Sequence, residues 1–137
     1  MKIIKGFPPN IDSIKLALGI YPDTLYCFGD TIYYPEGKEV PDDVQVHEKV
    51  HIEQQNKYSS PEVWWTKYLL DKEFRLEQEL EAYALQYKWV REQYEDHRAH
   101  AECLFEISDN LRSPRYKLGI SFGQAESKIR RKYKKMI

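Results

Sequence analysis

The sequence lacks the features that would place a protein in a membrane or outside the cell. No apolar run approaches the roughly 20 residues that a membrane-spanning helix needs. The opening residues, MKIIKGFPPN, contain only two consecutive isoleucines before Gly6, so we expect no signal peptide. Cys27 and Cys103 are the only cysteines, too few for a disulfide framework. We therefore expect a soluble cytoplasmic protein with reduced thiols and no membrane partner.

An excess of charge of either sign is also absent. Lys and Arg number 21 against 22 Asp and Glu, a net charge of −1, which excludes a globally basic nucleic-acid binder. Residues 128–135 do carry six basic side chains. A solvated helix with positive charge near its C-terminus is the simpler interpretation of this tail. Nucleic acid is therefore not an expected partner.

Aromatic residues, in contrast, are abundant: they make up 14% of the chain and include 11 tyrosines. Such bulk suits a small, tightly packed core, and the length of 137 residues predicts one domain over residues 1–137.

Turn signals and periodicity predict an α+β fold in which a β-hairpin precedes several helices. The hairpin should pair residues 24–28 with 31–35, and Pro35 predicts that the second strand lies at an edge. Helices are predicted over residues 10–18, 44–57, 61–94, 96–111 and 124–135, and the long one over 61–94 is either straight or kinked.

The segment that points to chemistry is His47-Glu48-Lys49-Val50-His51, an H-E-x-x-H motif in the helix predicted for residues 44–57. Side chains four residues apart project from one face of a helix, so both imidazoles can bind one Zn²⁺. Glu48 is then placed to act as general base on a zinc-bound water. Five letters are a weak pattern, and the competing interpretation is a solvated helix whose histidines bind nothing.

A catalytic zinc site needs a third protein ligand and an open position for water. The next long helix offers four glutamates as candidates: Glu73, Glu77, Glu79 and Glu81. On a helical wheel, Glu79 lies about 60° from the centre of the apolar stripe, Glu77 about 100° and Glu81 about 140°. Glu73 is as close to the stripe as Glu79 but lies nearly two turns earlier. Glu79 is therefore the expected ligand, and Glu81 is expected to face solvent.

The motif HEKVH followed by ELEAY resembles the gluzincin metallopeptidases, whose third ligand commonly lies in an E-x-x-A-[D/N] pattern on a later helix. The small size suggests a minigluzincin-like, zincin-type domain. Three longer segments look like small metallopeptidases encoded by bacteriophages and prophages: VHEKVHIEQQ, WWTKYLLDKEFRLEQELEAYALQY and LRSPRYKLGISFGQAESKI. The resemblance covers roughly residues 24–130. If a phage encodes the protein, we expect it in the host cytoplasm or in the virion.

The resemblance implies that His47, His51 and Glu79 bind zinc and that Glu48 is the base. It implies hydrolysis of peptide bonds in a peptide or protein substrate. It also implies that the strand around residues 31–34 is an edge along which an extended substrate backbone pairs.

Loop position and this resemblance suggest two further candidate site residues. Tyr116, with its neighbour Arg115, is a candidate to stabilise the oxyanion of a tetrahedral intermediate, although packing is the simpler role for one tyrosine among 11. The chain departs from the gluzincin pattern at Lys49 and Glu53, where uncharged and apolar residues are usual. Tyr83 replaces the acidic or amide residue that commonly orients a histidine, but its phenol offers another hydrogen-bond acceptor.

Other interpretations stay open at this stage. The leading alternative is a non-catalytic zinc-binding structural or interaction protein of phage origin, and a further one is a basic-tailed nucleic-acid accessory protein with an accidental motif. His97 and His100, with Glu102, offer a second metal site by spacing, but a solvated helix face is the simpler interpretation. Trp64, Trp65 and Tyr68 are expected to be core anchors, and a role in a substrate pocket is the lesser alternative.

Overall fold

The computed structural model describes all 137 residues and consists of six α-helices and a three-stranded mixed sheet. The predicted α+β class is confirmed. In chain order the elements are β1 (Lys2–Lys5), α1 (Ile11–Ala17), β2 (Tyr26–Phe28), β3 (Thr31–Tyr34), α2 (Asp42–Gln55), α3 (Pro61–Leu70), α4 (Lys72–Gln93), α5 (His97–Leu111), a 3₁₀ turn (Pro114–Tyr116) and α6 (Phe122–Lys134). None of the helices combines the length and the apolar character needed to cross a bilayer.

The predicted hairpin is present, but its second strand lies in the middle of the sheet and not at an edge. β2 and β3 pair in antiparallel fashion around a turn in which Gly29 has a φ of 62°, a conformation that favours glycine. β1 then pairs in parallel with the other side of β3, so the strand order is β1-β3-β2. The prediction that residues 31–34 form an edge strand is therefore wrong. Pro35 follows the last paired residue of β3, so its missing N–H costs the sheet no hydrogen bond.

The long helix predicted over residues 61–94 is divided at Asp71. This residue has an extended backbone, with φ −117° and ψ 105°, and ends α3. Its carboxylate accepts hydrogen bonds from the backbone N–H groups of Glu73 and Phe74, which makes it the N-cap of α4. The prediction of a single helix, straight or kinked, is therefore wrong: residues 61–94 form two helices, because a local side-chain cap replaces the backbone bonds that continuity would require.

Two apolar clusters form the core, and α2 lies between them. One joins α4, α5 and α6 through Tyr83, Tyr87, Val90, Cys103, Leu104, Ile107, Leu111, Leu118, Ala125 and Ile129. The other joins α1, β2 and α3 through Ile14, Leu18, Tyr26, Trp64, Trp65 and Tyr68. The His47 ring packs on Tyr83 of the first cluster, whereas the His51 ring faces Trp64 of the second. The H-E-x-x-H motif is therefore carried into the interior.

Gln55, at the end of α2, forms hydrogen bonds with the free edge of β2 and the turn that follows it. Its carboxamide accepts a hydrogen bond from the N–H of Gly29 at 2.8 Å and donates to the carbonyl of Cys27 at 3.0 Å. The indole of Trp65 donates to the same Cys27 carbonyl at 3.0 Å. These side chains supply the hydrogen bonds that a neighbouring strand would otherwise provide, so β2 is closed to further pairing from Cys27 onward.

A buried arginine ties the 3₁₀ turn to the junction of α3 and α4. The guanidinium of Arg75 donates to the carbonyl of Tyr116 at 2.7 Å and to the carbonyl of Tyr68 at 2.8 Å. A longer bond of 3.4 Å reaches the carbonyl of Leu69. The carbonyl groups at the end of α3 carry partial negative charge that stabilises the cation. Arg75 thereby fixes the backbones of two tyrosines.

We expect Arg75→Met to lower the free energy of unfolding by about 2–4 kcal/mol, because it leaves buried carbonyl groups without donors. Urea unfolding followed by circular dichroism measures this loss. Arg112→Met is the matched control, since Arg112 forms an exposed ion pair with Asp109 on α5; its effect should stay within about 0.5 kcal/mol. Equal losses in the two variants would contradict the role given to Arg75.

Candidate metal centre

Three side chains from two helices converge at one buried point. His47 and His51 lie one turn apart on α2, and their Nε2 atoms are 3.1 Å from each other. Glu79 of α4 faces both: its Oε1 is 3.1 Å from Nε2 of His47, and its Oε2 is 3.2 Å from Nε2 of His51. All three residues are buried. The structure thus brings together the three residues that the sequence predicted as ligands.

The spacing of these atoms fits a metal ion of zinc's size. Ligands bound to tetrahedral zinc at about 2.0–2.1 Å lie about 3.3 Å from one another. The two imidazole nitrogens are 3.1 Å apart, and Oε1 of Glu79 is 3.1 Å from His47, both close to this value. One ligand atom from each of the three residues lies within 4.8 Å of the other two. Two imidazole nitrogens and one carboxylate oxygen are also a donor set typical of catalytic zinc sites. The residues present therefore fit the metal.

The structure also separates Glu79 from the other candidate glutamates. Glu73 and Glu77 are exposed on α4. Glu81 is half-buried and accepts a hydrogen bond from Gln54 at 2.9 Å. The expectation that Glu81 faces solvent is therefore wrong, since its carboxylate turns back towards α2. Glu79 alone among the four belongs to the cluster with the histidines.

Tyr68, which is expected from the sequence to be a core residue, is also a member of this centre. Its hydroxyl donates to Oε2 of Glu79 at 2.6 Å. This bond engages one carboxylate oxygen and leaves Oε1 directed at His47. Tyr68 lies on α3, and the helix break at Asp71 is what brings it opposite Glu79. Spacing along a continuous helix could not have revealed the contact.

The two histidines differ in how their other ring nitrogens are held. Nδ1 of His51 lies 2.8 Å from Oε1 of Gln54. Nδ1 of His47 is buried and has no hydrogen-bond partner. The suggestion that the Tyr83 phenol serves as that partner is not supported: its hydroxyl pairs with the hydroxyl of Tyr116 at 2.7 Å, and only its ring packs on His47.

The electrostatics of the centre favour positive charge between the imidazoles and Glu79. Burial lowers the pKa of His51, but the Glu79 carboxylate outweighs this effect and raises the pKa to about 9. Burial acts to raise the pKa of Glu79, yet His51 and His47 hold it well below its ordinary range. Burial raises the pKa of the Glu48 carboxyl, and the two histidines offset part of that rise. Protons or a metal cation can supply the favoured charge.

A cavity opens beside the centre and contains Glu48. Its apolar wall is formed by residues of the α1–β2–α3 cluster, including Trp64 and Trp65. Arg115 and Tyr116 line the same cavity and also the adjoining one, as do His47 and Glu48. The structure thus places every predicted catalytic residue at one cleft, and Arg115 is the only cationic side chain of Lys or Arg type in either lining.

The other features singled out in the sequence lie away from this cleft. His97 is exposed, while Nε2 of His100 is bonded to the carbonyl of Tyr94, and Glu102 pairs with Arg98. The spacing of His97 and His100 therefore does not produce a metal cluster. The basic tail forms most of α6, which packs on α4 and α5 through its apolar face and leaves most of its charges exposed.

Comparisons with known proteins add no assignment: no family model, curated protein or solved structure matches the chain. The resemblance to gluzincins stays a prediction from the motifs. What the structure adds is the geometry of the residues that carry those motifs.

With a metal chelator present, we expect the free energy of unfolding to fall as the pH rises from about 6.5 to about 9. The folded-state pKa of His51 lies above its ordinary value of 6.5, so protonation stabilises the folded protein below pH 6.5 and is lost through pH 9. The decline should reach up to about 3 kcal/mol. Urea unfolding at a series of pH values measures it.

His51→Ala should remove most of this slope, whereas His97→Ala, at an exposed position, should retain it. If wild type and His51→Ala lose stability equally over this interval, the pairing of His51 with Glu79 does not operate as described.

Proposed function

We propose that the protein is a zinc-dependent metallopeptidase that hydrolyses peptide bonds in a peptide or protein substrate. The observation that supports this most strongly is the convergence of His47, His51 and Glu79 within 4.8 Å of one another, beside a cavity that Glu48 lines. Ligands alone would suit any metal-binding protein. The adjacent carboxylate and the open cavity are what favour hydrolysis.

The metal would be held by Nε2 of His47, Nε2 of His51 and a carboxylate oxygen of Glu79, with a fourth position facing the cavity. A bound zinc supplies a Lewis acid that polarises a scissile carbonyl group and makes a water molecule acidic. Oε1 is the better-placed oxygen of Glu79, because Tyr68 already donates to Oε2.

Glu48 would act as the general base. It follows His47 directly, is only 7% exposed, and lines both cavities that meet at the centre. From this position its carboxylate accepts a proton from the attacking water and then delivers it to the departing amine. Partial burial keeps bulk water from competing for that proton.

Tyr116 would donate a hydrogen bond to the oxyanion that forms on the substrate. The hydroxyl groups of Tyr116 and Tyr83 form one mutual hydrogen bond, which uses only one of their two hydrogens. The second hydrogen is available to a negative charge in the cavity. Arg115 stands beside them, held by Asp23 and Thr24, and adds positive charge to the same wall.

The substrate backbone would pair with the segment that leads into β2 rather than with the strand first suggested. β3 is paired on both sides, and from Cys27 onward the free edge of β2 is occupied by Gln55 and Trp65. Thr24 and Leu25, which precede this closed part, line both cavities. Main-chain pairing is therefore restricted to a short stretch before Cys27.

We place the activity in the cytoplasm. Cys27 and Cys103 are both buried and free of disulfide bonds. Burial raises the pKa of both thiols, to about 12 for Cys103, so both behave as unreactive core residues. Two unpaired cysteines are typical of proteins that work in a reducing compartment.

One specific observation favours a non-catalytic zinc-binding protein as the second candidate. The three ligands come from α2 and α4, so a bound metal would join two helices that already pack along each other. A metal in that position would stabilise the fold even without turnover. The test below separates the two candidates.

Zinc-loaded wild-type protein should cleave members of a mixed peptide library, and Glu48→Gln should reduce cleavage by at least about 100-fold while its zinc content is unchanged. Mass spectrometry of the library detects new peptide ends. Glu53→Gln makes the same chemical change at an exposed position of α2 and should cleave like wild type. Zinc binding without any cleavage by wild type would contradict the peptidase and favour the structural role; full activity in Glu48→Gln would contradict the assigned base.

A further inference from the structure

The carboxamide of Gln54 has only one orientation that satisfies its surroundings. Its Nε2 lies 3.0 Å from the backbone carbonyl of Gln78 and 2.9 Å from Oε1 of Glu81. Both of these partners are hydrogen-bond acceptors, so the NH₂ group must face them. The opposite orientation would bring three oxygen atoms together without a hydrogen between them. Oε1 of Gln54 is therefore the atom that faces His51, at 2.8 Å from Nδ1.

This orientation determines which nitrogen of His51 carries the hydrogen. Oε1 of an amide can only accept, so Nδ1 of His51 must donate. A histidine that binds a metal is neutral and has a single N–H, so donation from Nδ1 leaves Nε2 with its lone pair free for the metal. Nε2 is the atom that faces His47 and Glu79. The ring is thus held in the tautomer and the rotation that a metal ligand requires.

We propose that Gln54 is a positioning residue that presents His51 to the metal, and that Glu81 holds Gln54 in the orientation this requires. This inference rests on the proposed metal centre. It goes beyond that centre by assigning a function to two residues that bind no metal themselves. Partners of this kind are worth about 10–100-fold in metal affinity.

The two halves of the centre are consequently unequal. Two hydrogen bonds, from Gln54 to Glu81 and from His51 to Gln54, form a relay that fixes the His51 ring. Nδ1 of His47 has no such partner, and its ring is held by packing on Tyr83. Loss of the relay should therefore matter more here than in a site where both histidines are oriented by hydrogen bonds.

A structural role for Gln54 must be distinguished from a positioning role, because its side chain also connects α2 to α4. Gln55 offers a matched control within the same turn. It is the same residue type, is also buried, and also connects α2 to another element through two hydrogen bonds, but it has no hydrogen bond to either histidine. If only the change at position 54 weakens metal binding, the cause cannot be merely the loss of hydrogen bonds that connect α2 to a neighbouring element.

The experiment measures the affinity of wild type, Gln54→Leu and Gln55→Leu for Zn²⁺ and Co²⁺ by competition with a chromophoric chelator at fixed pH. Gln54→Leu should bind both metals about 10–100-fold more weakly than wild type, and Gln55→Leu should stay within about 3-fold. The visible absorption of bound Co²⁺ reports ligand geometry and should change in Gln54→Leu only. Urea unfolding of the metal-free proteins gives the structural cost of each change.

Glu81→Ala tests the same relay without altering the buried glutamine, and it serves if Gln54→Leu does not fold. It should weaken metal binding by about 3–10-fold, since Gln54 then keeps only the Gln78 carbonyl as an anchor.

Each outcome bears on a different claim. Wild-type affinity in Gln54→Leu, or an equal loss in Gln54→Leu and Gln55→Leu, would overturn the positioning role while leaving the metal centre intact. Wild-type affinity in Glu81→Ala would overturn the part assigned to Glu81. Failure of wild type itself to bind either metal would overturn the proposed function and, with it, this inference.

Discussion

The contact between the Glu79 carboxylate on α4 and the two imidazoles on α2 is the interaction on which the rest of the structure depends. A carboxylate that is only 2% exposed is costly unless opposite charge or hydrogen bonds compensate for its burial. His47, His51 and Tyr68 all direct polar atoms at it. The apolar clusters shield this contact on the sides away from the cavity, so the interior is built around a site that favours a cation.

The surrounding elements hold this site open on one side. Gln55 and Trp65 close the edge of β2 beyond Cys27, and Arg75 holds the backbone of Tyr116 against the end of α3. Between these fixed points lies the cavity that Glu48 lines. Fixed walls of this kind would suit the proposed hydrolysis, because groups that are already in position need no reorganisation during a reaction.

The parts of this centre that depend on local spacing could be predicted from the sequence, and the parts that depend on distant pairing could not. The motif places two histidines on one helix face, and the apolar stripe selects Glu79 among its neighbours. β1 could not be predicted, because its four residues, KIIK, are all exposed and their apolar and charged side chains do not alternate as in a half-buried strand. The cap at Asp71 and the resulting approach of Tyr68 depend on side-chain geometry. Gln54 follows His51 by three residues, so helical spacing could have indicated it.

Zinc content of protein purified without added metal, measured by elemental mass spectrometry, tests the central claim most directly. The account predicts about one zinc per chain in wild type and its loss in Glu79→Ala. Glu73→Ala removes an exposed carboxylate from the same helix and should retain the metal. Absence of zinc from wild type even after reconstitution, or full zinc content in Glu79→Ala, would contradict the assignment of His47, His51 and Glu79 as a metal centre.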